Sequence, residues 1–244
     1  MATNPMHQFQ VYRIGPEINI GNINLSFTNA SLFMAISATL ILSLLFLGTK
    51  KKSLIPSKVQ LITEMSYTFI AKMINDTAGS SAKSFFPFIF TLFMFVLFLN
   101  MIGMLPYSFT VTSHIIVTFA LAAIIFVGVT IIGFVKHGIK YLELFVPKGV
   151  PTVLLPLIVV IEIISYLSRP VSLSVRLFAN MMAGHTMLKV FGGFVISLGL
   201  LGGWLPLSFS VALTGLEILV AFLQAYVFAI LTCIYLNDAL NLHH

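Results

Sequence analysis

Residues 26–48 contain no charged side chain. At 1.5 Å of rise per residue, an apolar run of about 20 residues matches the hydrocarbon thickness of a bilayer. Residues 84–105 and 113–135 repeat the pattern, and 150–191 and 207–236 are apolar stretches with only scattered charges. In lipid every backbone amide needs an internal partner, so runs of this length fold as helices. The expectation is an all-α membrane protein, residues 1–244 forming one polytopic domain with about five transmembrane helices. Composition agrees: the chain is 59% hydrophobic and 8% charged, whereas soluble domains carry about 25% charged residues. Its mean hydropathy is +1.05. These values exclude a soluble enzyme, a disordered chain and a nucleic-acid-binding domain. The net charge of +6 is spread too thinly to form a phosphate-binding patch.

Between the runs, the polar segments alternate in character. Residues 54–76 mix Lys58, Glu64, Lys72 and Asp76 with Val59, Ile62, Tyr67, Ile70 and Ile74 at near-helical spacing, which reads as an amphipathic helix on the membrane surface. Lys50–Lys52, Lys58, Lys72 and Lys83 lie between the first and second spans, and Lys136, Lys140 and Lys148 between the third and fourth. The connections near 107–112 and 192–206 carry no lysine or arginine, and the second, rich in glycine, reads as a loop. Lysine-rich loops stay on the cytoplasmic side. This places the N-terminal segment 1–25 outside and the C-terminus inside. Residues 1–25 lack the features of a secretory or transit leader, so a bacterial inner membrane is expected, with a mitochondrial inner membrane as the alternative. The fourth stretch, about 40 residues, reads as one helix of roughly 60 Å. It is too long to stand upright, so it must be strongly tilted or bent, with Pro170 a candidate bend.

Charges inside the last two stretches carry the chemistry. An ionised side chain at bilayer depth costs about 2.5–3.5 kcal/mol on insertion scales. Glu162, Arg169 and Arg176 follow one another at intervals of seven. Seven residues return to within about 20° of the same helix face, so the three form a stripe roughly 21 Å long. Ser172 and Asn180 flank Arg176 on that face. His185 lies about half a turn around from Arg176, on the other side of the helix. In the last stretch Glu217 and Gln224 are seven apart. Glu217 and His185 fall at matched depth on adjacent helices, a suitable pair for relaying a proton. A lone polar residue in a membrane helix also serves as interhelical glue, Lys189 can snorkel, and Arg169 can mark a kink. Arg176 fits that role least: it sits in mid-segment and does not lose its proton. Such an arginine calls for a carboxylate outside the chain or an ion path.

Three other classes fit the sequence less well. A secondary transporter would show inverted repeats and broken helices in both halves. An intramembrane metalloprotease needs a His-Glu-x-x-His pattern, which histidines 7, 114, 137, 185, 243 and 244 do not supply. A purely structural membrane subunit has no need of Arg176. The single cysteine, Cys233, allows no internal disulfide. No metal-ligand cluster and no phosphate-binding loop is present, so no cofactor, metal, nucleotide or nucleic acid is expected.

The segment Ser172-Leu173-Ser174-Val175-Arg176-Leu177-Phe178-Ala179-Asn180-Met181-Met182-Ala183-Gly184-His185 closely resembles the hallmark of the membrane subunit a of F-type ATP synthases. Asn100 to Thr110, and Glu217 with Gln224-Ala225-Tyr226-Val227-Phe228, resemble that family's second span and last helix. The resemblance implies a static proton-conducting subunit beside a ring of c subunits, with the last two long helices tilted against that rotor. It further implies the peripheral-stalk subunit b and the rest of the complex as partners. Arg176 maps onto the essential arginine facing the ring and Gln224 onto its packing partner. His185 and Glu217 map onto the inlet half-channel, and Glu162 onto the inner one. The His/Glu placement is similar to mitochondrial and related bacterial versions. Some members carry an acid where this chain has Gly103, which leaves the outermost inlet without an assigned residue.

Overall fold

The computed structural model describes residues 9–15, 19–20, 23–24, 26–50, 55–105, 108–146 and 154–241. The fold is all-α apart from a minimal antiparallel ribbon, β1 (Asn19–Ile20) with β2 (Ile23–Asn24), paired Asn19 to Asn24 and Ile20 to Ile23. Six helices follow: α1 (Asn29–Lys50), α2 (Lys58–Ala78), α3 (Phe86–Gly103), α4 (Ile115–His137), α5 (Leu155–Gly202) and α6 (Trp204–Leu240). Short 3₁₀ segments occupy Ser80–Phe85, Val111–Ser113 and Gly138–Phe145. Five helices among the described residues are long and apolar enough to cross a membrane: α1, α3 with its leading 3₁₀ residues, α4, α5 and α6.

Local chemistry sets the helix ends. Ser57 caps α2, its hydroxyl accepting from the Gln60 amide at 3.3 Å, which satisfies one of the first-turn donors. Gly79, at φ 67°, stops the same helix in a region that side-chain-bearing residues avoid. At the far end of α4, Lys136 Nζ donates to the Leu240 carbonyl at 2.9 Å, and His137 Nε2 lies 3.1 Å from the same oxygen. Basic groups from one helix thus close the C-terminus of another, where carbonyls lack intrahelical partners.

The bundle is organised around α3 and α6. Half of the most apolar window of α3 is buried, against 17% for α1, so α3 is central and α1 peripheral. On α6, Ala221, Ala225, Ala229 and Cys233 are all buried. Small residues repeating every fourth position let neighbouring helices approach closely. Asn100 of α3 donates to the Ala221 carbonyl at 3.2 Å across that contact.

Three features differ from the sequence reading. First, the glycine-rich stretch 192–206 holds the α5–α6 connection but is mostly helical. α5 continues through it to Gly202, and α6 starts at Trp204. Glycine costs about 1 kcal/mol in a helix but does not forbid one. Here Phe191 stacks on Phe209 of α6, centroids 6.0 Å apart, and holds the two helices together. The 48-residue α5 would span about 72 Å if straight. Second, its backbone leaves helical dihedrals at Gly199 (φ 60°, ψ −157°), not at Pro170. A Cβ on Gly203 would fall 2.6 Å from the Gly199 carbonyl oxygen, so the tight α5–α6 turn needs glycine there. Third, the expected apolar face of α2 divides. Ile70 and Ile74 are buried, while Val59, Ile62 and Tyr67 are exposed. α2 packs on α1, α3 and α6, so its apolar residues serve both the bundle and its outer surface. The start of the fourth run, 150–153, and most of 1–25 lie outside the described residues.

His114, just before α4, stacks on Phe109 with centroids 5.0 Å apart, and its Nε2 is buried without a partner among the described residues. Burial pushes its pKa below the usual 6.5. The folded protein therefore holds fewer protons here than the unfolded chain does. This contribution to stability is present above pH 6.5 and is lost as pH falls below it. The thermal stability of the assembled protein should thus fall from pH 7.5 to 5.5, and His114→Phe should flatten that dependence. A slope unchanged by the substitution would remove His114 as its source.

Candidate functional site

The functional side chains come from the two longest helices. His185 on α5 and Glu217 on α6 are in direct contact, Nδ1 against Oε1, with side chains only 11% and 5% exposed. The other ring nitrogen, Nε2, lies 2.8 Å from the Gly103 carbonyl, an oxygen that can only accept. Nε2 therefore carries a proton. Nδ1 either donates to the Glu217 carboxylate or accepts from its carboxylic acid. Both states place one shared proton in the Nδ1–Oε1 contact, in addition to the one on Nε2. Glu217 Oε2 is buried with no partner among the described residues.

Gly184 makes this contact sterically possible. A Cβ there would sit 2.6 Å from Glu217 Oε1. Gly103 is constrained as well: a Cβ would lie 2.8 Å from a methyl carbon of Thr110. At this position it is the backbone carbonyl, not a side chain, that meets His185.

Two cavities meet at Glu217. The larger, about 710 Å³, is lined by His185, Glu217, Gly103, Ser108, Phe33 and Lys189, and also by Gln10, Tyr12 and Asn29. The last three were not legible as site residues. The N-terminal strap is pinned by Asn29, whose Oδ1 accepts from the Tyr12 amide at 3.2 Å and whose Nδ2 donates to the Gln10 carbonyl at 3.1 Å. The only sequence signal is an asparagine at the start of α1. The smaller cavity, about 230 Å³, lies between α5 and α6 and is lined by Glu217, Gly184, Ala183 and Asn180.

Asn180 Nδ2 donates to Gln224 Oε1 at 2.9 Å, joining α5 to α6 next to the smaller cavity. Gln224 Nε2 is buried and unpartnered among the described residues. Gln224 is thus bonded to Asn180 and not to Arg176. Arg176 is exposed and has no hydrogen bond or ion pair among the described residues. Val175, Ala179, Asn180 and Ala183 are exposed beside it, leaving this face of α5 open. Glu162 lies half-buried two heptads away and is not gathered into the His185–Glu217 cluster. Arg169, which the sequence left between kink and stripe, is paired with Asp238 of α6 at 2.9 Å. No group of three metal-ligating side chains occurs among the described residues.

These features define a class: a multi-pass membrane protein with an ionisable pair between two cavities and an unpaired arginine on an open helix face. The ATP synthase A chain family profile matches residues 31–237. The chain is 81% identical to ATP synthase subunit a of Pelagibacter ubique (strain HTCC1062) over 244 residues, all of both chains. It is 60% identical to the subunit of the same name from Chelativorans sp. (strain BNC1), again over the whole of both chains. Against that of Rhizobium rhizogenes (strain K84 / ATCC BAA-868) it is 60% identical, over 99% of this chain and 98% of the relative. The chain belongs to the ATP synthase subunit a family, the membrane component of the F-type complex.

Gly184→Ala should push the Glu217 carboxylate away from His185. A misplacement of about 1 Å can slow a transfer by roughly a hundredfold. Proton pumping by the assembled complex in inverted vesicles should fall at least tenfold, with normal subunit content. Pumping within twofold of wild type would show that the contact does not limit transport.

Proposed function

We propose that this chain is the proton-conducting stator subunit, bearing two offset half-channels that load and unload carboxylates on a c ring. The observation that carries the reading is the position of Glu217 in the walls of both cavities. A proton from the larger cavity reaches the His185–Glu217 pair. It leaves through the smaller cavity beside Asn180, on the open face that also bears Arg176. The inner half-channel lies toward Glu162, at the other end of the stripe. The subunit performs no catalysis by itself; nucleotide chemistry belongs to other subunits.

The exposed, unpaired guanidinium of Arg176 suits a partner carboxylate on the ring. Beside it a ring carboxylate favours the ionised form, because an opposite charge lowers a carboxyl pKa. Away from it the acid must be neutral to cross lipid. The fixed charge also opposes direct proton passage between the half-channels. A proton falling through 100 mV releases about 2.3 kcal/mol, and that drop becomes rotation only while the two paths stay separate.

Sidedness follows from the charges. The α4 and α6 C-termini, with Lys136, His137 and Asp238, share one end of the bundle. Tyr12, Asn29 and the larger cavity lie at the α1 N-terminus. The lysine bias assigns the former to the cytoplasm and the latter to the outside, in the inner membrane of a bacterium. Subunit b and the c ring are the expected neighbours.

Arg176→Ala should abolish ATP-driven proton pumping while leaving assembly intact. Arg176→Lys should be little better, since a desolvated lysine can lose its proton. Wild-type coupling in the lysine variant would overturn the reading.

A further inference from the structure

Arg169 is a second guanidinium on the same α5 stripe, one heptad from Arg176 and one from Glu162, about 10 Å along the axis from each. Its Nη1 donates to Asp238 Oδ2 at 2.9 Å. Its guanidinium carbon lies 5.3 Å and 5.0 Å from the ring centroids of Tyr166 and Tyr235. Arg176, by contrast, has no such partner among the described residues. We propose that Asp238 is a positioning residue that electrostatically silences Arg169, leaving Arg176 as the uncompensated cation of the stripe. This inference rests on the proposed half-channel reading.

The reason lies in the route. A proton moving between the level of Arg176 and that of Glu162 must pass Arg169. An unneutralised guanidinium about 10 Å away, at an effective dielectric constant of about 20, slows such a passage roughly tenfold. Pairing with Asp238 removes the net charge, and the two tyrosine rings keep the guanidinium directed at α6. Besides this direct pair, α5 and α6 are also linked at this end indirectly, through α4 and the 3₁₀ segment after it. Lys136 and His137 already hold the Leu240 carbonyl, and the Tyr166 hydroxyl bonds to Thr130 at 2.7 Å and Tyr141 at 3.0 Å.

Silencing and simple helix joining give different mutant patterns. ATP-driven proton pumping is measured in inverted vesicles at matched amounts of assembled complex. The variants are Asp238→Asn, Arg169→Gln and the double variant, with Arg176→Ala as the reference. Silencing predicts that Asp238→Asn pumps about tenfold more slowly. Arg169→Gln should keep at least about half of the wild-type rate, and the double variant should match it. A double variant as slow as Asp238→Asn, or an unaffected Asp238→Asn, overturns the proposal. If Asp238→Asn does not assemble, Arg169→Gln decides: a comparable loss there means the pair is structural. Normal pumping in Arg176→Ala would instead sink the half-channel reading itself.

Discussion

A charged side chain in the hydrocarbon layer must be neutralised, hydrated or matched from outside, and Arg176 is neutralised by nothing within the described chain. The rest of the molecule is consistent with keeping it that way. α5 places Arg176 among exposed Val175, Ala179 and Asn180, clear of the acids. An adjoining face of α5, about 100° around from Arg176, carries buried Leu173, Leu177 and Met181, which seat the helix against the bundle. Other polar side chains of α6 are engaged elsewhere: Gln224 accepts from Asn180, and Asp238 takes Arg169. Glu217 takes His185.

That division of partners depends on close helix approach. Ala221, Ala225 and Ala229 bring α6 against its neighbours, and Gly184 leaves room for a carboxylate between α5 and α6. α3 contributes through its backbone, the Gly103 carbonyl fixing the proton on His185 Nε2. A site made of two charged helices is thus held by apolar packing and small residues on three, since lipid supplies no hydrophobic drive for helix association.

Much of this was legible in the sequence, because lipid constrains it strongly. Apolar runs of bilayer length announced the helices, and the heptad spacing of Glu162, Arg169 and Arg176 announced the stripe. The matched depth of His185 and Glu217 announced their contact. What escaped depends on tertiary neighbours. The 192–206 segment has loop composition, but helical backbone runs through most of it and breaks at Gly199, with Phe191 and Phe209 stacked across the two helices. The Arg169–Asp238 pair links positions 69 residues apart, which no local pattern reveals. The strap from Gln10 to Tyr12 joins the larger cavity only because Asn29 bonds back to it. Gly103 looked like a missing acid, whereas its contribution is a carbonyl.

Separation of two aqueous paths at Arg176 is the central claim, and thiol accessibility tests it most directly. Cys233 is the only cysteine and is buried, so a Cys233→Ser background is free of native thiols. Single cysteines at Ala183 and at Ser172, both exposed on the open face of α5, flank Arg176. Silver ions are applied to one membrane face at a time, and the block of proton pumping is followed. The account predicts that the cysteine at 183 reacts only from the side of the N-terminal strap, and the cysteine at 172 only from the cytoplasmic side. Reaction of both from the same face would contradict it.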